Sequence, residues 1–292
     1  MRTITLKKLL DMARREAGIA KTAFRPEVAE DFCGWLEKRM RRAWTYFPFP
    51  ELCPVEERVV GEEWDPLHAY TLGYVIVYRA TTSAVWTYYE ALSNFVPAGL
   101  EPGSVGAELS WGLYSVTRER RLDYVVNGYE AIGEVFGIYG DNPRISGKAR
   151  PVPFELASDG VYLGGEVTGS SVWLKYRVRP PEYTTELYSG AVTYTKGDLV
   201  YLESTGHCYM ALDTLFDDSP TVFPDYWLTQ PVPEILADYA AAGAKADFLS
   251  DDGQDEKATA AEGAAQNRLD QQVADIVIHQ GQRGTYEVLA AA

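Results

Sequence analysis

The sequence is poor in the residues that carry most enzyme chemistry. It has three histidines, His68, His207 and His279, and none stands in an HExxH or other metal-ligand spacing. Its three cysteines, Cys33, Cys53 and Cys208, are odd in number and far apart, with no CxxC pair. That excludes a disulfide framework and points to reduced thiols. No Gly-x-Ser-x-Gly, Walker A or dinucleotide-binding glycine pattern occurs. Apolar runs of about 18 residues are absent, so no membrane-spanning helix is expected. The first residues lack the apolar stretch of a secretory signal, which predicts a cytosolic product. Carboxylates are plentiful enough for a glycosidase pair, but Asp217-Asp218 and Asp251-Asp252 read as solvated loop acids. The expectation is a non-enzyme without metal or cofactor.

What is present points to assembly. A length of 292 residues allows two or three compact units, and 46% hydrophobic with 24% charged residues is globular composition. Aromatics make up 13%, with 20 Tyr, which suits half-buried strands and large contact surfaces. The net charge of −15 argues against general nucleic-acid binding, which needs a basic face. The charge is also polarised. Residues 1–50 hold 11 Lys and Arg against 6 Asp and Glu, and residues 203–292 hold 4 against 16. Such a chain can pair with itself, stack head to tail in a ring, or carry two solvated faces.

The periodicity predicts helices at both ends and strands between. Leu6, Leu9, Leu10, Ala13 and Ala17 recur at helical spacing behind a Thr5 cap, with Gly18 as the stop. A second helix opens at Pro26 with an apolar face through Phe32, Leu36, Met40 and Ala43, and a basic face of Lys38, Arg39, Arg41 and Arg42. Pro48 and Pro50 end it. Alternating segments such as 74–79, 134–139, 171–177 and 199–202 read as strands. Helices return near Pro233, break at 251–254 and resume over roughly 254–276. The Gly- and Gln-rich residues 279–292 lack a core pattern and read as a tail ordered by a partner.

This predicts an α+β chain in five parts: a helical hairpin over 1–50, a β-rich core over 51–183 with a small β unit at about 64–115, a second small β unit over 184–228, helices over 229–278 packing on the first pair, and the tail.

The two small units look like one motif used twice. Tyr70, Gly73, the strand after it, Tyr89-Glu-Ala-Leu92, Pro102 and Trp111 recur as Tyr194, Gly197, a strand, Tyr209-Met-Ala-Leu212, Pro220 and Trp227. With Asp198 following Gly197, the second copy resembles small chitin-binding-type carbohydrate modules; the first departs, with Tyr74 in that place. Trp86, Trp111, Tyr209 and Trp227 are therefore candidate sugar-stacking platforms, against the alternative that such rings close the core of a tiny domain.

Three longer runs carry a second resemblance. They are Arg41-Arg-Ala-Trp-Thr-Tyr46 with the prolines after it, Gly128 to Pro143 followed by Val172 to Pro181, and Asp238 to Lys257. In pattern and order they are similar to neck, or head-to-tail adaptor, proteins of tailed bacteriophages; the unit at 64–115 is an insertion relative to that plan. The resemblance implies a structural virion protein of the neck, made in the host cytoplasm. It implies a ring, often a dodecamer, beneath the portal protein and above a downstream neck or tail protein. DNA would pass through the ring without sequence-specific binding. Lys38, Arg39, Arg41, Arg42, His279, Gln280, Gln282, Arg283 and Tyr286 become candidate portal or ring contacts. The alternative is a carbohydrate-binding decoration or host-adsorption protein.

Overall fold

A computed structural model describes residues 2–59, 62–78, 87–113, 120–122, 124–126, 129–158, 160–164, 171–216 and 218–281. The fold is α+β, with four α-helices and several small sheets among these residues. It forms two compact units, Met1–Leu52 with Pro180–Ala292, and Cys53–Arg179.

The first unit is helical. Helix α1 (Leu6–Glu16) starts where the Thr5 hydroxyl accepts the Lys8 N–H at 3.1 Å, and it buries Leu6, Leu9, Leu10 and Ala13. Helix α2 (Pro26–Tyr46) has Pro in its first turn and buries Phe32, Leu36, Met40, Ala43 and Trp44. Helix α3 (Glu234–Asp251) is buried nearly all round, which marks a central helix. Its alanines, from Ala237 to Ala246, allow the close approach of α1, α2 and α4 (Asp255–Gly281). Residues Thr3–Ile4 pair antiparallel with Val232–Pro233, tying the start of α1 to the start of α3.

The second unit is built on an antiparallel sheet in which the strand Ser171–Val178 lies between Ile132–Tyr139 and Val55–Val59. Its alternation puts Val172, Leu174 and Tyr176 into a core shared with Ile138, Leu122 and Val161. A separate small sheet pairs Phe154–Ala157, Gly160–Leu163 and Arg120–Leu122.

The two small β segments share a bond pattern. In the first, Val75–Tyr78, Thr87–Ala91 and Trp111–Leu113 form consecutive antiparallel pairs; in the second, Leu199–Leu202, His207–Ala211 and Trp227–Gln230 do so. Ile76 faces Tyr89 as Val200 faces Tyr209, and Ala91 faces Trp111 as Ala211 faces Trp227. Gly73 and Gly197 turn the chain at φ of 83° and 97°, and each donates its N–H to the carbonyl of that alanine at 2.8 Å. The Tyr70 hydroxyl accepts the Asp65 N–H at 2.6 Å, and the Tyr194 hydroxyl accepts the Ser189 N–H at 2.8 Å.

Candidate functional site

The basic face of α2 meets the acidic face of α3 and α4. Arg39 is buried; its Nε and Nη2 donate to the two carboxylate oxygens of Asp247 at 2.7 and 2.8 Å, and its Nη1 donates to Glu262 at 2.5 Å. A bidentate pair of this kind fixes the guanidinium plane as well as its charge. Gly243 of α3 lies under it: a Cβ there would meet Arg39 Cδ at 2.7 Å. Around this centre Arg42 reaches Glu262 at 2.7 Å, Arg268 reaches Glu16 at 2.8 Å, and the Tyr46 hydroxyl donates to Asp270 at 2.6 Å. Two of the sixteen carboxylates in residues 203–292, Asp247 and Glu262, thus pair with cations of α2 within one unit.

That changes the list of contact candidates. Arg39 is withdrawn from any partner by its burial between two helices. Arg41 pairs with Glu37 at 2.9 Å and with Glu182 at 3.2 Å, while Lys38 stays largely in solvent, 3.7 Å from Asp247. The helix α4 runs further than the sequence pattern gives, taking in the backbone of His279 and Gln280. Their side chains, and all of Gln282, Arg283 and Tyr286, lie outside the described residues.

The far end of α4 carries exposed aliphatic side chains. Arg268 Nη1 donates to the Asp238 carbonyl at 3.3 Å, linking the two helices. Across the turn that joins them, α4 has 27 residues against 18 in α3. At the helical rise the end of α4 stands about 14 Å beyond α3. Val277 and Ile278 are exposed on this projection.

Three of the four sugar-platform candidates are buried in the cores of the small β units. Trp111 and Trp227 are each 4% exposed, and their indole N–H groups donate to the carbonyls of Leu100 at 2.9 Å and Asp218 at 2.7 Å. Tyr209 is also buried, its hydroxyl 3.2 Å from Thr205 Oγ1. A pyranose stacks on an open ring face, whereas Trp227 and Trp111 are buried in edge-to-face packing with Tyr194 and Tyr70, at centroid distances of 5.5 and 5.2 Å. Trp86 lies outside the described residues.

The three thiols are buried. Burial pushes Cys33 up to about 12 and Cys208 up to about 11, so neither offers a thiolate nucleophile near neutrality. Among the described residues, no group of three or more His, Cys, Asp or Glu is placed to hold a metal ion. No described helix is long and apolar enough to cross a membrane.

No family model and no curated protein matches the chain. The functional reading therefore rests on the residues and the geometry above. The buried Arg39 centre and the projecting end of α4 are the features that sequence reasoning missed. The signal for the first was available in the opposite charges of the two chain ends. For the second it was the apolar run Ile276-Val-Ile278, which lies beyond the length that α3 can cover.

Proposed function

We propose that this chain is a structural assembly subunit of a tailed-phage neck, a head-to-tail adaptor that forms a homo-oligomeric ring beneath the portal and passes DNA without sequence-specific contact. The observation that carries the reading is the projecting end of α4. A helix that outruns α3 and exposes Val277 and Ile278, while Gln272, Val273 and Ile276 stay half-buried, offers apolar anchors to a neighbouring groove. The residues after Gly281 continue from it, and the resemblance gives such a terminal segment to the portal. The ionic centre supports the same role, because a helix that bears load on its tip needs a rigid root. Twelve copies, the virion neck as location and a downstream tail protein as second partner follow from the resemblance.

Two experiments test it. Antibody-directed gold on the parent particles should mark the head–tail junction; label on fibres or tail tip would favour adsorption, and unlabelled particles would remove the virion role. A chain lacking residues 279–292 should remain soluble and folded but fail to dock on portal rings. Normal docking by that chain would remove the projecting end from the interface.

A further inference from the structure

We propose that the first small β unit carries an interaction surface for a basic, amphipathic polypeptide segment of a partner protein, centred on Leu72, Leu92, Phe95 and Leu109. This goes beyond the adaptor reading and does not depend on it.

The backbone gathers these residues at one end of the sheet. Leu72 precedes Gly73, whose N–H bonds the Ala91 carbonyl at 2.8 Å, and Leu92 donates its own N–H to the Ser110 carbonyl at 2.8 Å. Three strand ends therefore bring Leu72, Leu92 and Leu109 to one end of the sheet, with Phe95 in the loop that follows Leu92. The Leu92 side chain lies across Gly112, where a Cβ would approach it to 3.0 Å. Leu72 is 59% exposed, Phe95 64% and Leu109 87%. Clustered exposure of this kind marks contact sites more often than scattered surface leucines do.

The second β unit serves as an internal control. It keeps the same strand register and turn bonds, yet the matching positions hold Lys196 for Leu72, Thr214 for Phe95 and Asp225 for Leu109. Leu212 alone repeats, for Leu92. The backbone thus closes without these three apolar side chains, and their presence in the first unit is not a folding requirement. The second unit exposes other apolar residues, Phe216 and Val222, so the two copies present different surfaces on one frame.

Charge selects the partner. Residues 62–113 contain six carboxylates and a single Lys or Arg, Arg79, which lies outside the described residues; Asp65, Glu101 and Glu108 are exposed. An apolar surface on so acidic a stretch, with Glu108 next to Leu109 in the chain, repels nucleic acid and anionic lipid headgroups. It complements a segment whose apolar anchors are flanked by Lys or Arg.

The test uses the full chain and a synthetic amphipathic helix made only of Leu and Lys, with a Ser-and-Lys analogue of equal charge as control. The double variant L72K/L109D installs the residues that the second unit already carries, and F95T does the same at the third position. Their folding is checked by circular dichroism. The expected result is salt-sensitive binding of the Leu-Lys helix to the parent chain, much weaker binding of the analogue, and a loss of about tenfold in affinity in L72K/L109D, with a smaller loss in F95T. Equal affinity of parent and variants overturns the proposal. So does binding of the parent to phosphatidylserine vesicles that the variant loses, which would make the surface a membrane contact. Self-association that L72K/L109D abolishes would assign the patch to a second copy of this chain and overturn it as well.

Discussion

Arg39 and Asp247 are 208 positions apart in the chain and meet through two parallel hydrogen bonds of 2.7 and 2.8 Å. The pair is buried, so its two members are not equivalent to a surface salt bridge. Attraction is strong at low dielectric, but removing one partner strands a charge that has already lost its water. Arg39→Ala is therefore expected to destabilise the helical unit by about 3–5 kcal/mol. Urea unfolding followed by the helical circular dichroism signal measures it, and a loss below about 1 kcal/mol would mean that water reaches the site.

Gly243 gives a prediction with a change of sign. In the parent chain Gly243→Ala places a Cβ 2.7 Å from Arg39 Cδ, and the ion pairs prevent the arginine from swinging away. The variant should lose about 1–3 kcal/mol, as overpacked sites do. In an Arg39→Ala background the obstruction is gone, and the same change should add up to about 1 kcal/mol through helix propensity. A double-mutant cycle reads both values; the same sign in the two backgrounds would break the link between these residues.

Trp111→Ala and Trp227→Ala should each cost about 3–5 kcal/mol, because each removes the largest ring of a small core. Affinity electrophoresis through chitin and other polysaccharides should show no retardation of the parent chain. Retardation that Trp227→Ala abolishes in a chain still folded would restore the sugar-platform role.

Alkaline pH should weaken the fold. Cys33 is held at about 12, Cys208 at about 11 and Tyr176 at about 12, in each case first by burial. These groups keep their protons longer in the folded chain than in the unfolded one. Their contribution is complete below the ordinary thiol and phenol values, and it is lost as pH rises from about 9 toward 12. Urea midpoints measured from pH 8 to 11 should fall above pH 9. Thiol reagents at pH 8 should leave Cys33 and Cys208 unmodified until urea is added.

The helices were legible in the sequence because their signals are local. Thr5 caps Lys8, Pro26 opens α2, and the break at 251–254 separates α3 from α4. The strands 199–202 and 171–178 follow from alternation, although the second ends one residue later than its pattern suggests. Non-local facts were not legible. Nothing near Arg39 in sequence announces Asp247 or Glu262, so a residue on a charged helical face read as surface when it is core. Burial of Trp227 was undetermined for the same reason, since an aromatic that closes a core and one that stacks on a ligand look alike until Tyr194 is placed beside it. The sheet joining Arg120–Leu122 to Gly160–Leu163 went unread because its strands are short and far apart.

The unit that holds α1 and α2 is completed only by α3, which begins at Glu234. During synthesis the first two helices leave the ribosome long before the central helix on which they pack. At about 5–20 residues per second the delay is on the order of ten to forty seconds. Over that interval Phe32, Leu36, Met40 and Trp44 have no permanent cover, while all of Cys53–Arg179 is already available to fold. Birth order thus opposes spatial order in this chain. Helices α1 and α2 are made before the helix that encloses them, and a chaperone that shields the apolar face of α2 would act on the nascent protein during that interval.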